Sequence, residues 1–101
     1  MYKFKGKLIN KGELQIIGEK QFKKMEFVVL DDSTMYPNYA KFEIFSVNTE
    51  LLNNISIDDN VEVTFKVKGR EYNGKFYTSL EAFKIYKQDS NNNSDKEDFP
   101  F

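Results

Sequence analysis

Residues 61–86 read "VEVTFKVKGREYNGKFYTSLEAFKIY", with Asn73-Gly74 near the centre. Both central positions of a two-residue type I′ turn need positive φ, and Asn-Gly supplies it at the least steric cost. On one flank Val61, Val63, Phe65 and Val67 alternate with Glu62, Thr64, Lys66 and Lys68. Period two places the first set on a buried side and the second in solvent. On the other flank "FYTSLEAFKIY" (76–86) is the return strand. The stretch is a β-hairpin, with residues 69–75 expected as its loop.

Working back from the hairpin, "YKFKGKLI" (2–9) alternates as strictly. Tyr2, Phe4, Gly6 and Leu8 fall on one face, and Lys3, Lys5 and Lys7 on the other. "ELQII" (13–17) extends this first strand past a bend near Gly12. "FKKMEFVVL" (22–30) and "YAKFEIFSV" (39–47) are the second and third strands, separated by turn chemistry in "DDSTMYPN", where Pro37 excludes a central strand. "NTELLNNI" (48–55) is the helical piece, with an Asn or Thr to cap its start and Leu51, Leu52 and Ile55 along one side. Three strands, a short helix and a hairpin make an all-β fold. A five-stranded sheet of this length exposes its edges unless it curls. The expected architecture is therefore a five-stranded OB-fold barrel with one short helix between strands three and four. An SH3-like barrel is the alternative, and the helix position favours the OB order.

Gln88 onward, "QDSNNNSDKED", offers nothing apolar to bury and is expected to be disordered. The division is then a folded domain over 1–86 and an acidic tail over 87–101. The whole chain of 101 residues carries a net charge of −1. Two lysines stand against four acids in the tail, which leaves the body one charge positive. The chain has no cysteine and no histidine, and so neither disulfide, thiolate chemistry nor a histidine base. No apolar run suits a membrane span or a secretory leader, and a cytoplasmic location is expected. The pairs Asp31-Asp32 and Asp58-Asp59 lie beside turns, where solvated carboxylates are ordinary. Neither an enzyme, a metal site nor a cofactor is expected.

The informative pattern is rings interleaved with cations: Phe22-Lys23-Lys24, Tyr39 with Lys41, Arg70 with Tyr72, and Lys75 with Tyr77. Single-stranded nucleic acid is bound by this combination, because flat side chains take the faces of unstacked bases while Lys and Arg follow the phosphates. Tyr39, Lys41, Arg70, Tyr72, Lys75 and Tyr77 are the candidate contacts, with Lys23 and Lys24 on phosphate and Phe22 as a further ring. Phe22, Phe76 and Tyr77 also read as core.

The segment 51–85, "LLNNISIDDNVEVTFKVKGREYNGKFYTSLEAFKI", resembles the second half of bacterial single-stranded-DNA-binding proteins. Tyr39 and Tyr72 fall where that family often carries base-stacking tryptophans. The combination of "REYNGKFYTS", "AFKI" and "DFPF" is closest to a small OB-like group of Bacteroidota and their phages. The chain end, "EDFPF", is similar to the family's acidic tip. The resemblance implies a protein of DNA replication, repair and recombination that coats single-stranded DNA without strong sequence preference. It also implies recruitment of replication and repair proteins through Asp98, Phe99, Pro100 and Phe101, and a homo-oligomer whose number the sequence does not fix. The location would be the nucleoid, or a host cytoplasm for a viral source. The other reading is an OB-fold adaptor that engages tail-binding partners without nucleic acid.

Overall fold

A computed structural model describes residues 1–88. Six strands run in the order β1 (Tyr2–Lys11), β2 (Gln15–Ile17), β3 (Phe22–Asp31), β4 (Asn38–Phe45), β5 (Asn60–Tyr72) and β6 (Lys75–Lys87), with a 3-10 helix over Ser46–Asn54 between β4 and β5. They form one mixed sheet in the order β1-β5-β6-β4-β3-β2, and β1 also pairs with β3. Only the β4–β6 pairing is parallel.

In place of the expected five-stranded barrel the strands stand as one mixed sheet, and the expectation is corrected in two further respects. The sheet has six strands, and the helix follows the fourth, not the third. The extra strand arises at Gly12, where the expected bend leaves residues 12–14 outside the ladder. There the Gly12 N–H bonds to Glu26 O at 2.8 Å, and a Cβ on residue 12 would stand 2.9 Å from that same oxygen. Glycine alone permits so close an approach, and the chain resumes as β2 against the start of β3. The helical piece also differs from expectation. It begins at Ser46, and no side chain caps its start. The Thr49 hydroxyl instead donates to Ser46 O at 2.8 Å. At its far end the Ile55 N–H donates to Leu52 O at 3.1 Å, and the Lys11 ammonium donates to Leu52 O at 2.9 Å and Ile55 O at 2.8 Å.

The core forms where the alternating faces meet. Leu8, Phe27, Val29, Phe42, Ile44, Leu52, Ile55, Val61, Val63, Ala82 and Ile85 are buried, with Phe4 and Phe65 packed against them. Phe42 is the hub, its ring centroid 5.0 Å from Phe65, 5.3 Å from Phe27 and 5.9 Å from Phe4. The inward set of the fifth strand is half right: Val61 and Val63 are buried, while Val67 is exposed. Val67 is exposed because β5 and β6 do not stop at the core. Residues 69–72, expected in a loop, continue the ladder to Tyr72↔Lys75, and the turn is Asn73-Gly74 with φ of 52° and 79°. From Lys66 outward every β5 residue is exposed. The result is a two-stranded ribbon projecting from the body.

Candidate nucleic-acid interface

Residues opposite one another in a ladder share a side of the sheet, and the side alternates along each strand. The register pairs Ile17 with Phe22, Lys24 with Phe45, Glu26 with Glu43, Val28 with Lys41 and Leu30 with Tyr39. Glu43 pairs in turn with Glu81 of β6. Across the ribbon, Glu81 pairs with Lys66, Ser79 with Lys68, Tyr77 with Arg70 and Lys75 with Tyr72. All of these lie on one side, opposite Phe27, Phe42, Ile44 and Ala82 of the core. Eight of the nine candidate contacts therefore share a single outward face: Phe22, Lys24, Tyr39, Lys41, Arg70, Tyr72, Lys75 and Tyr77. Lys23 pairs with Ile16 and belongs to the other side.

The rings on this face are open. Tyr72 at the ribbon end is 66% exposed and Tyr39 62%. Phe22 is not core: it is exposed and lies 5.3 Å from Phe45 at an interplanar angle of 27°, a stacked pair on the surface. The Lys68 ammonium sits 5.6 Å from the Phe45 centroid and 3.2 Å from Glu81. Arg70 lies 5.9 Å from the Tyr77 centroid, at the edge of cation–π range. Lys24, Glu43, Lys68, Arg70 and Tyr77 surround a cleft of about 420 Å³ between ribbon and sheet.

Charge on the face is uneven. Three carboxylates, Glu26, Glu43 and Glu81, lie side by side across β3, β4 and β6. Lys24 sits 3.6 Å from Glu26 and 3.5 Å from Glu43, so the expected phosphate contact is already matched by acids. Lys41, Arg70 and Lys75 have no carboxylate within 4.0 Å among the described residues. Of the two acid pairs, Asp31 caps its own loop. It accepts the Ser33 hydroxyl at 2.6 Å and the Ser33 N–H at 3.0 Å, and these bonds hold its carboxyl below the ordinary value. Asp59 accepts the Ser56 N–H at 2.9 Å and faces Lys87 at 3.6 Å. No group of three or more metal-ligating side chains occurs among the described residues. No helix among them is long and apolar enough to cross a membrane.

Two residues of the face escaped the sequence reading, and a third, Phe76, is not the core ring it also read as. Phe45 and Lys68 lie on the face, and the alternation Tyr39, Lys41, Glu43, Phe45 already set Phe45 apart from buried Phe42 and Ile44. Phe76, 81% exposed, is the most open ring of the ribbon, and its partner Glu71 places it on the opposite side from Tyr72 and Tyr77. Asp98, Phe99, Pro100 and Phe101 lie outside the described residues, as does the tail from residue 89.

The path of the chain is shared with several solved structures. The SSB domain of a Synechococcus sp. protein superposes with a TM-score of 0.67 at 14% identity, over 84% of this chain and 91% of that one. The dimeric N-terminal domain of PriB from Thermoanaerobacter tencongensis gives 0.65 at 16% identity, over 87% and 94%. The single-stranded DNA binding protein of Thermus aquaticus gives 0.69 at 12% identity, over 86% of this chain and 48% of that one. Identities this low establish a common fold of the OB type. No curated protein matches the sequence. A family model does match, over residues 3–86, and on that ground the chain belongs to the family described as Domain of unknown function (DUF3127).

Proposed function

We propose that this protein binds single-stranded DNA without strong sequence preference and uses the outward face of β3, β4 and the β5–β6 ribbon to do so. One observation carries the reading: strand register gathers Phe22, Tyr39, Tyr72 and Tyr77 with Lys41, Arg70 and Lys75 on a single open surface. Each exposed ring supplies a base-stacking platform worth about 1–3 kcal/mol, and the cations follow the phosphates. The shared fold with proteins named for that activity supports it. In the same reading the acidic tip, Asp98 to Phe101, recruits replication and repair proteins. Phe101 fills an apolar pocket and the terminal carboxylate meets a cation. Kinship with OB-like proteins of Bacteroidota and their phages, a cytoplasmic location and a homo-oligomeric state belong to this proposal too.

A second reading is favoured by the glutamate row, which matches Lys24 and Lys68 and so offsets part of the positive charge of the face. In it the domain is an adaptor that carries the tip without binding nucleic acid. A titration of oligo-dT with a chain ending at Lys87 separates the two. Binding that tightens as salt falls is expected for the first, because neutralised phosphates release counterions. No binding at low ionic strength leaves the adaptor.

A further inference from the structure

We infer that the gap between β4 and β6 is a receptor for one nucleobase, held by a mode of contact distinct from stacking on the open rings. The inference rests on the single-strand reading and adds to it a second mode of contact. β4 is paired to β3 along its whole length, and β6 to β5 along its own. The two meet each other only at Glu43↔Glu81 and Ile44↔Ala82. On the N-terminal side of that seam the strands part. The facing edges of Asn38–Phe42 and Lys75–Leu80 have no backbone partner among the described residues. Between them opens a cleft of about 570 Å³ with Phe4, Phe65 and Leu80 in its lining. These three are partly buried and pack on the core, so the floor is apolar and rigid. Tyr39 and Lys41 stand at the rim, and Glu43 marks the closed end.

Unpaired strand edges beside an apolar floor ask for a ligand that is flat and apolar on its faces and polar around its perimeter. A nucleobase has that form. One face lies on the floor formed by Phe4 and Phe65, and its donors and acceptors meet the N–H and C=O groups that the edges leave open. Backbone offers both kinds of partner, so the receptor does not select one base strongly. Glu43 keeps phosphate out of the closed end, while Lys41 receives it at the rim. A peptide strand fits less well. Strand pairing needs neighbours held about 4.8 Å apart over several residues, and these edges converge to a seam.

The test uses the full chain, ¹⁵N-labelled, with (dT)₁₂ as the probe. The expected result is a shift of the amides of Tyr39–Phe42 and Thr78–Leu80 that saturates together with the shifts at Arg70–Tyr77. Thr78 lines the cleft and pairs with Gly69, on the opposite side from the Arg70–Tyr77 rings. Thr78→Leu should weaken (dT)₁₂ binding about tenfold with an unchanged melting temperature, whereas Thr78→Ala should bind as the parent does. If the β4 and β6 edge amides stay still while the ribbon amides move, bases remain on the outer face and the receptor is refuted alone. Equal affinity of Thr78→Leu and the parent refutes the receptor as well. Edge amides that respond to an extended peptide and not to (dT)₁₂ assign the gap to a peptide strand, which also overturns the inference. Absence of any (dT)₁₂ binding by the parent removes the single-strand reading along with it.

Discussion

Replacing Tyr72 by alanine separates a binding ring from a structural one. Tyr72 sits in the last rung of the ribbon opposite Lys75, is 66% exposed, and has no ring partner among the described residues. Its removal costs the fold one cross-strand side-chain pair, about 0.2–1 kcal/mol. For a domain of this size that lowers the melting temperature by a few degrees at most, since about 1 kcal/mol corresponds to roughly 4–8 °C. The loss in binding is larger. A ring stacked on a base is worth about 1–3 kcal/mol, or about 5- to 150-fold in Kd at 1.4 kcal/mol per decade. Phe42→Ala is the opposite control. That ring is fully buried among Phe4, Phe27 and Phe65, and its truncation costs about 3–5 kcal/mol, lowering the melting temperature by roughly 12 °C or more. Fluorescence anisotropy with labelled oligo-dT, paired with thermal melting by circular dichroism, reads both quantities. Parental affinity in Tyr72→Ala would refute the reasoning, as would a melting drop as large as that of Phe42→Ala.

Arg70→Ala should flatten the dependence of log K on log salt by about 0.7, the value of one phosphate contact on a single strand. Lys24→Ala, already engaged by Glu26 and Glu43, should change that slope much less, and equal effects would show that the glutamates yield Lys24 to phosphate. The carboxyl of Asp31, held below its ordinary 3.8 by Ser33, favours the folded chain above that pH and loses the advantage as pH falls through its lowered value. Ser33→Ala removes the hydroxyl donor and should move the Asp31 titration upward, as followed by carboxyl NMR shifts; an unmoved midpoint discards the hydrogen bond as its cause. Deleting Phe101 should abolish capture of tail-binding proteins in a pull-down while leaving oligo-dT affinity unchanged. A C-terminal tag that preserves capture would discount the free carboxylate.

Much of the sheet is legible from alternation and turn chemistry, because burial on one face imposes period two. Val61, Val63, Phe4 and Leu8 show it, and Asn73-Gly74 fixes the hairpin register. The pattern gives out where burial does. "GREY" reads as a loop because a ribbon solvated on both sides has no apolar alternation to display, yet its backbone stays in the ladder. For the same reason Phe76 reads as core, since its type is informative only if the strand around it is half-buried. The break at Gly12 depends on how close β3 approaches, a tertiary distance that local composition does not encode. Composition likewise does not separate a 3-10 turn from an α-helix at Ser46–Asn54. Rings and cations could be named from the chain, but their common face follows from register across four strands. Engagement of Lys24 by acids on β3 and β4 follows from the same register.

The ribbon has a mechanical consequence. Thirteen-residue strands span roughly 40 Å, close to the 46 Å longest extent of the described residues. The inner half is anchored in the core by Val61, Val63, Phe65, Ala82 and Ile85, and the part from Lys66 outward projects. Such a cantilever converts small torsions at its root into wide excursions at its tip, where Tyr72 and Lys75 ride. On the single-strand reading proposed above, a strand would meet that tip before the sheet and pass inward toward Tyr77 and Arg70. Stiffening the root would narrow that sweep and slow capture, while leaving untouched every side chain that holds the strand once caught.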